Sequence, residues 1–369
     1  MSETHAKSIA RLETYAELAE RALADEPPSM EQSLWILDGD DVELLPLLHA
    51  AYVPREQHWG RKVMVHILNN VQNGLCAEDC GYCSQSKNSS SGIRKYPMKS
   101  DEEIFAAAEE AAEAGASRYC MVLSGRGPTL ERTHKLAGLI RDVKQRYPIE
   151  VCLSAGLVDE EKARILADAG LDRLNHNLNT SESRYEEICS THSFSDRVAT
   201  ITAARKCGIG TCSGLIMGMG ESSRELVEVA LQLRELEVES IPLNFLIPVD
   251  GNPVLSDGSL TPERCLRALA LMRFVNPRAE IRVAGGREGH LRGMGALALW
   301  PANSLFVEGY LTTRGDAVND TYRMIYDAGF EIAGNAGTDE HWNAATSEGG
   351  AFQLPGEAPL LKPDVTREA

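Results

Sequence analysis

The sequence predicts an α/β protein folded as a (β/α)8 barrel of the TIM type, with a helical N-terminal extension and an irregular C-terminal tail. Eight β-rich runs alternate with amphipathic helical stretches along the 369 residues, a rhythm that is typical of parallel βα units. Hydrophobic residues make up 43% of the chain, which is enough for a large core. A long loop, 73–100, follows the first run, where a barrel builds its active site. An open doubly wound sheet is the alternative.

Each predicted strand is a short run of mainly apolar residues bounded by turn-forming residues. The eight strands are Val63–Val71, Ser117–Ser124, Ile149–Gly156, Arg173–Thr180, Gly210–Gly218, Ser240–Pro248, Glu280–Arg287 and Ser304–Tyr310. Helical periodicity and capping residues between them predict helices. The clearest are Asp101–Ala114 with Ser100 as N-cap and Gly115 as stop, Arg224–Glu237 with Ser223 as N-cap, and Pro262–Phe274 with Thr261 as N-cap.

Three regions follow from this pattern. Residues 1–60 form the helical extension, with a break near Glu26–Pro28. Residues 61–332 form the barrel. Residues 333–369 are rich in Gly, Ala and Pro without a clear period and form the C-terminal tail.

The net charge of −17 repels polyanions, so nucleic acid is not expected as a partner. No run of eighteen apolar residues occurs, so we expect no contact with a membrane. The acidic N-terminus lacks the apolar core of a signal peptide, and we expect a cytoplasmic protein. Its nine cysteines are therefore metal ligands or small buried hydrophobes rather than a disulfide framework.

Three cysteines lie within eight residues of the first loop, in the run CAEDCGYC that spans Cys76, Cys80 and Cys83. Three thiolates on one short loop can bind a [4Fe–4S] cluster and leave one iron open. The spacing resembles that of radical S-adenosylmethionine (SAM) enzymes, in which SAM chelates the open iron. A zinc knuckle is the alternative, but no Cys or His follows Cys83 closely, and His66 lies in a predicted strand.

Seven longer segments closely resemble the biotin synthase family, and the similarity runs from about residue 45 to residue 330. They are NGLCAEDCGYCSQS (73–86), YCMVLSGRGP (119–128), NHNLNTS (175–181), CSGLIMGMGE (212–221), IPLNFL (241–246), IRVAGGRE (281–288) and YLTT (310–313). The resemblance implies that dethiobiotin is converted to biotin by 5′-deoxyadenosyl radicals from two SAM molecules. It also implies an auxiliary [2Fe–2S] cluster that supplies the sulfur.

The resemblance assigns the auxiliary cluster to four residues in four predicted strands: Cys120, Cys152, Cys212 and Arg282. Side chains of separate strands can converge inside a barrel. A buried guanidinium such as that of Arg282 needs an anionic partner. The cluster, a substrate carboxylate or a core Glu or Asp would each serve.

The three remaining cysteines, Cys189, Cys207 and Cys265, are interpreted as apolar filler. Two of them lie in helical stretches, and Cys189 lies in a loop or short helix.

The resemblance further places Tyr82, Asn179 and Arg197 beside SAM, with Gly218 and Gly220 bordering its site. Many family members have Asp where this chain has Asn179; an amide accepts less strongly than a carboxylate.

The substrate side is assigned by the same resemblance. Asn177 and Asn244 are expected to bind the ureido ring of dethiobiotin, because an amide offers both a donor and an acceptor. Thr312 and Thr313 are expected to hold its carboxylate, or else to be ordinary turn residues.

Two other functions remain open at this point. One is a different radical SAM enzyme, of the hydrogenase-maturase or methylornithine-synthase type, which does not require the strand cysteines with Arg282. The other is a non-catalytic iron–sulfur protein, which needs no open iron. The family resemblance also implies partners: a reducing protein such as flavodoxin or ferredoxin, an iron–sulfur assembly system and a second copy in a homodimer.

Overall fold

Parallel strands close into a barrel in the computed structural model, which describes residues 3–307, 309–311, 313–314 and 316–334. The strands are β1 Lys62–Gln72, β2 Arg118–Leu123, β3 Glu150–Ser154, β4 Arg173–Asn175, β5 Gly210–Cys212, β6 Leu215–Met217, β7 Ser240–Phe245, β8 Glu280–Val283, β9 Ser304–Phe306, β10 Gly309–Tyr310, β11 Thr313–Arg314 and β12 Glu331–Ile332. The order runs from β1 through β9 in sequence, and β1 pairs with both β2 and β9. The predicted barrel is confirmed, and the open sheet is excluded.

The fifth barrel strand is divided into β5 and β6, although the sequence predicts one strand. Cys212 pairs with Ser240 and Leu215 with Leu243, so the register against β7 is the same on both sides of the break. Pro242 lies opposite the interruption and has no N–H to donate. A Cβ on Gly214 would lie only 1.8 Å from the Pro242 carbonyl oxygen, so only glycine fits there.

Helices surround the barrel, and several of them begin at a side-chain N-cap. They are α1 Glu3–Leu23, α2 Met30–Asp38, α3 Leu44–Trp59, α4 Asp101–Glu113, α5 Leu130–Arg146, α6 Glu160–Asp168, α7 Tyr185–Ile188, α8 Phe194–Lys206, α9 Ser223–Glu235, α10 Pro262–Val275, α11 Arg287–Leu291 and α12 Val318–Asp327, with a 3₁₀ helix at Arg292–Leu299. Ser100 forms a capping box with Glu103, and Thr261 caps α10, as predicted. The N-cap of α9 is Ser222, one residue before the predicted Ser223.

Several predicted strands end early; the fourth, for example, stops at Asn175 rather than at Thr180. The seventh stops at Val283 because Gly286 turns the chain at φ +82° and Arg287 begins α11. The eighth stops at Phe306, and Gly309–Tyr310 instead pairs antiparallel with Thr313–Arg314. Most of the predicted C-terminal tail, from residue 335, lies outside the described residues.

The three N-terminal helices cover one side of the barrel. Helix α10 is buried over nearly its whole circumference, because α2 and α3 pack across the face that would otherwise meet solvent. Ile36, Leu47 and Leu48 are fully buried in that contact. In the described part of the chain, no helix is long and apolar enough to cross a membrane.

The barrel interior holds a buried ionic layer centred on Glu280. Arg118 donates to Glu280 at 3.1 Å and to Glu150 at 2.7 Å. Arg282 also donates to Glu280, and His66 Nε2 lies 2.9 Å from it. Burial alone would raise the pKa of the Glu280 carboxyl, but Arg282 and Arg118 outweigh burial and hold it well below its usual range. One carboxylate therefore compensates two buried guanidinium groups.

Replacing Glu280 with Ala should destabilise the protein by about 3–5 kcal/mol, because it leaves both guanidinium groups buried without their shared partner. Glu150→Ala is the matched control: its carboxylate also bonds Arg118, but the side chain is 45% exposed, so the expected loss is only about 0–1 kcal/mol. Urea unfolding followed by circular dichroism measures both. Equal losses in the two variants would contradict a central role for Glu280.

Candidate active site

A cavity of about 280 Å³ opens at the carboxyl ends of the strands, where barrel enzymes place their active sites. Its wall brings together residues from the cluster loop, from eight strands and from the following loops. The site residues predicted from the sequence that line it are Cys76, Tyr82, Cys83, Cys120, Cys152, Asn177, Asn179, Arg197, Asn244 and Arg282.

The three loop cysteines are neighbours, but they do not all face the cavity. Cys76 and Cys83 line it, and the N–H of Cys83 donates to the carbonyl oxygen of Cys80 at 3.1 Å. The thiol of Cys80 instead lies 3.7 Å from the sulfur of Cys189. That hydrogen bond raises the pKa of Cys80 and lowers that of Cys189.

The acidic residues between the loop cysteines anchor the loop to the segment 189–192. Asp79 accepts from the backbone N–H groups of Ser190 at 3.0 Å and Thr191 at 3.2 Å. Burial would raise the pKa of Asp79, but these and further hydrogen bonds hold it well below its usual range. Glu78 accepts from Thr191 Oγ1 at 2.6 Å and contacts His192 Nδ1. The loop is therefore held to the segment 189–192 by two adjacent carboxylates.

The strand cysteines form a layer directly above the ionic layer. Cys120 and Cys152 are paired in register on β2 and β3, two residues after Arg118 and Glu150, so strand alternation puts both pairs on the inner face. All three strand cysteines are at most 4% exposed. The pKa of Cys120 is lowered by a hydrogen bond from Cys152 and by the charge of Arg282. The same thiol–thiol hydrogen bonds raise the pKa values of Cys152 and Cys212, so the layer offers three sulfur donors in contact with one another.

Arg282 joins the two layers. Its Nη1 lies 3.6 Å from the sulfur of Cys212, while Nη2 donates to Ser240 Oγ at 2.8 Å and to Glu280. Of the anionic partners considered for Arg282, the core carboxylate is present and belongs to Glu280. Arg282 also contacts the cysteine layer through Cys212. One terminal nitrogen of this guanidinium is therefore paired with the Glu280 carboxylate, and the other is directed toward Cys212.

The residues predicted beside SAM form one hydrogen-bonded group. The Asn179 amide contacts the hydroxyl of Tyr82. When the amide oxygen of Asn179 is placed on the side of Tyr82 and Arg197, it accepts hydrogen bonds from the Tyr82 hydroxyl and from both terminal nitrogens of Arg197. The two distances to Arg197 are 3.2 and 3.3 Å. Asn179 has φ +71°, a left-handed conformation that Asn tolerates better than most residues. Its amide is thereby held at the cavity wall.

Gly218 and Gly220 lie apart from that group. They are not among the lining residues of the described cavity, and their φ values of +94° and +92° shape the turn before α9. The N–H of Gly218 donates to Glu221 at 2.7 Å. Their assignment to the SAM site stays a prediction.

The two asparagines predicted for the substrate both reach the cavity. Asn244 Nδ2 donates to the Leu215 carbonyl at 3.1 Å, and its Oδ1 accepts from the N–H of Gly285 at 3.0 Å. Asn177 Oδ1 accepts from the N–H of Gly214 at 3.1 Å. Both amides thus fix the backbone as well as facing the cavity. Thr312 lies outside the described residues, and of Thr313 only the backbone strand is described.

Sequence reasoning missed three polar groups around the site. Cys189 is buried in the apolar core, as expected, but its thiol also contacts Asp79 at 3.3 Å and His192 Nδ1 at 3.3 Å, which the apolar interpretation did not predict. His176 lines the cavity, where burial holds its pKa well below the usual range. The spacing Cys189-x-x-His192 was the available signal for two of them. Cys207 is only half-buried, and Cys265 is buried among apolar residues, as expected.

The fold and the three-cysteine loop define the class of the protein. The Radical SAM superfamily matches residues 72–233, and the Biotin and Thiamin Synthesis associated domain matches residues 242–331. Solved structures with the same fold include methylornithine synthase (PylB), at TM-score 0.74 and 18% identity over 89% of this chain and all of that one. The hydrogenase maturase HydG from Carboxydothermus hydrogenoformans has a TM-score of 0.72 and is 17% identical. The match covers 87% of this chain and 79% of HydG.

Curated relatives are much more similar in sequence. Biotin synthase from Acaryochloris marina is 54% identical over 344 residues, covering 93% of this chain and 98% of the relative. Biotin synthase from Magnetococcus marinus is 56% identical over 315 residues, which cover 85% of this chain and 98% of the relative. The chain belongs to the biotin synthase family.

The donor atoms suit the iron–sulfur groups of this family. Soft thiolate ligands favour such clusters, and three of them stand on the loop while three more line the interior with a buried guanidinium. A charged cluster bound by Cys212 would lie against Arg282, which already has one nitrogen turned to that sulfur. The two sets of residues fit two separate groups.

Replacing Asp79 with Ala should loosen the cluster loop, because two backbone N–H groups lose their acceptor. Such a loss costs about 1–3 kcal/mol, so hydrogen exchange at residues 190–191 should accelerate about tenfold or more. Asp159→Ala is the control, since Asp159 accepts from the backbone N–H of Lys162 at the start of α6 rather than from residues 190–191. Unchanged exchange at residues 190–191 in Asp79→Ala would show that the carboxylate is not the anchor.

Proposed function

We propose that this protein converts dethiobiotin to biotin, using two SAM molecules and one sulfur atom held by the protein. The observation that carries the proposal is that both cysteine sets border one cavity: Cys76 and Cys83 at its mouth, Cys120 and Cys152 in its interior. A radical formed at the mouth can then reach a substrate lying against the sulfur source. Family membership sets the reaction, and this geometry supports it.

Cys76, Cys80 and Cys83 would hold the [4Fe–4S] cluster. When bound, that cluster supplies the electron that cleaves SAM. For Cys80 this requires its side chain to turn from Cys189 toward the other two cysteines. The loop itself need not move, because Asp79 and Glu78 hold its backbone independently of the thiols.

Arg197 and Asn179 would orient SAM beside the loop. Arg197 is buried and donates to the Asn177 carbonyl at 2.7 Å, so its charge is fixed in position and matches a carboxylate. Asn179 and Tyr82 offer a hydroxyl-binding edge and an aromatic ring next to Cys83. Gly218 and Gly220 would border the same ligand.

Asn177 and Asn244 would orient the ureido ring of dethiobiotin. Asn177 has its Oδ1 bonded to backbone, and Asn244 has both amide atoms bonded to backbone, which locks the amide orientations. Each NH2 group still has an N–H that can donate to a ligand. Thr312 and Thr313 would hold the carboxylate at the far end. His176, whose pKa is lowered by burial, contributes a polar but uncharged side chain to the cavity wall.

Cys120, Cys152, Cys212 and Arg282 would hold the auxiliary [2Fe–2S] cluster, which is the sulfur substrate. The C–H bonds to be broken in dethiobiotin are unactivated, so a carbon radical needs a sulfur atom already beside it. Holding both reactants in one enclosed site supplies that proximity. The protein itself is then the immediate sulfur donor.

The shared fold with methylornithine synthase and a hydrogenase maturase does not favour their reactions, because identities of 17–18% establish the fold alone. We further propose, from family membership, a reducing partner such as flavodoxin or ferredoxin, an iron–sulfur assembly system, a homodimer and a cytoplasmic location.

Replacing Cys76 or Cys83 with Ala should abolish 5′-deoxyadenosine formation, because each change removes a ligand of the loop cluster. Cys80→Ala should do the same. Cys265→Ala serves as the control, since Cys265 is fully buried among apolar residues. Product chromatography after anaerobic reduction with SAM gives the readout. SAM cleavage at the parent rate in Cys80→Ala would refute the ligand assignment.

The source of the sulfur is tested by isotopes. The auxiliary cluster is reconstituted with labelled sulfide, and a single turnover is run with unlabelled sulfide in solution. Label should appear in biotin while the absorbance of that cluster fades, because the cluster is consumed. Cys152→Ser should keep the loop cluster but make no biotin. Product carrying only the solution isotope, with the cluster intact, would exclude a protein-held sulfur source.

A further inference from the structure

Two thiols and one imidazole lie close together behind the cluster loop. All three are metal-binding groups of the soft or borderline kind, and the proposed reaction does not use them as a set. The sulfur atoms of Cys80 and Cys189 and the imidazole of His192 all lie within 4.8 Å of one another. All three residues are buried, at 9%, 4% and 8% exposure. None of them lines the central cavity described above. They form a separate group, which we call the rear triad.

The spacing of the rear triad matches the edges of a tetrahedral zinc site. Zn–S bonds of about 2.3 Å and Zn–N bonds of about 2.0–2.1 Å give S···S edges of roughly 3.8 Å and S···N edges of roughly 3.6 Å. The Cys80 and Cys189 sulfurs are 3.7 Å apart. The sulfur of Cys189 lies 3.8 Å from His192 Nε2. The donor separations are therefore those of a tetrahedral site, but the sulfur of Cys189 now lies nearer Nδ1, at 3.3 Å, so binding an ion through Nε2 requires the imidazole to shift.

The surroundings of His192 favour one ring nitrogen as ligand. Its Nδ1 contacts the Glu78 carboxylate, the arrangement by which a carboxylate orients a metal-binding imidazole. The basic Nε2 is then left for the metal. Arg197 now donates to Nε2 at 2.8 Å and would have to release that contact, while its hydrogen bonds to Asn177 and Tyr185 remain.

From this geometry we propose that the rear triad is a site for a thiophilic divalent cation, zinc in particular, in protein whose loop cluster is not assembled. Binding releases the two thiol protons to solvent, and the two thiolates balance the 2+ charge of the ion. Asp79 is not the fourth ligand, because its nearer oxygen already accepts from Ser190 and Thr191. Water completes the site, next to the exposed Ser190.

The site has a consequence for assembly, which rests on the proposed role of Cys80 in the loop cluster. Cys80 cannot bind zinc and the loop cluster at once. Zinc should therefore compete with cluster assembly at the loop, and the competition should depend on Cys189. The strand cysteines lie elsewhere and should not take part.

The test uses the full-length, iron-free chain and titrates Zn²⁺ and Co²⁺. Cys120, Cys152 and Cys212 are changed to Ser in every sample, so that the interior cannot bind the probe. This parent should bind one equivalent, with the absorption of tetrahedral cobalt–thiolate. Cys189→Ser and His192→Ala should each weaken binding more than about a hundredfold, which exceeds the loss expected for an outer-shell partner. Cys265→Ser, the matched control, should bind like the parent.

A second arm uses the chain with its interior cysteines intact. One equivalent of Zn²⁺, added before iron and sulfide, should lower assembly of the loop cluster in the unchanged chain but not in Cys189→Ser. Cluster spectra are the readout, without substrate, so failure of biotin formation is a separate result. Parent-like zinc affinity in both Cys189→Ser and His192→Ala would overturn the site. Loss of zinc in Cys76→Ser and Cys83→Ser instead would assign the ion to the cluster loop alone and also overturn it.

Discussion

The arrangement of the barrel interior depends on how the buried charge of Arg282 is balanced. A guanidinium removed from water costs several kcal/mol unless it is paired, and Glu280 provides that pairing from two residues earlier on the same strand. Strand alternation puts both on the inner face. The same two-residue step separates Arg118 from Cys120 and Glu150 from Cys152 on their strands. The ionic layer therefore sets the height at which the cysteine layer lies, and it turns one nitrogen of Arg282 toward Cys212.

Sequence reasoning reached the barrel and the cluster loop because both signals are local. Alternating strand and helix patterns specify parallel units, and Cys76, Cys80 and Cys83 stand within one loop. The strand cysteines were predicted to face inward from the family resemblance, supported by alternation. Their mutual contact depends on register, since Cys120 meets Cys152 only because β2 and β3 pair at those residues. The register between two strands is set when the sheet forms, and it cannot be predicted from the sequence of either strand alone.

Other features escaped prediction because they depend on contacts between distant segments. The division of the fifth barrel strand follows from Pro242 in its neighbour and from the close approach at Gly214. Cys189 was expected to be apolar filler because its own neighbourhood in sequence says nothing of Asp79 or Cys80. Glu78 and Asp79 lie between the loop cysteines, and nothing in the loop sequence indicates what they contact. In the fold they are the residues that bind the cluster loop to segment 189–192.

These contacts between distant segments form a closed chain of side chains that starts and ends on the cluster loop. The chain explains how a loop can keep the site residues in fixed positions. Glu78 contacts His192, which accepts from Arg197; Arg197 faces Asn179, and Asn179 contacts Tyr82. Tyr82 and Glu78 both belong to the cluster loop, so the closed chain begins and ends on the same eight-residue segment. A loop held at two points through a buried charge has little freedom to shift against the barrel. The loop cysteines and the cavity wall that Arg197 and Asn179 form are therefore positioned by one shared network rather than independently.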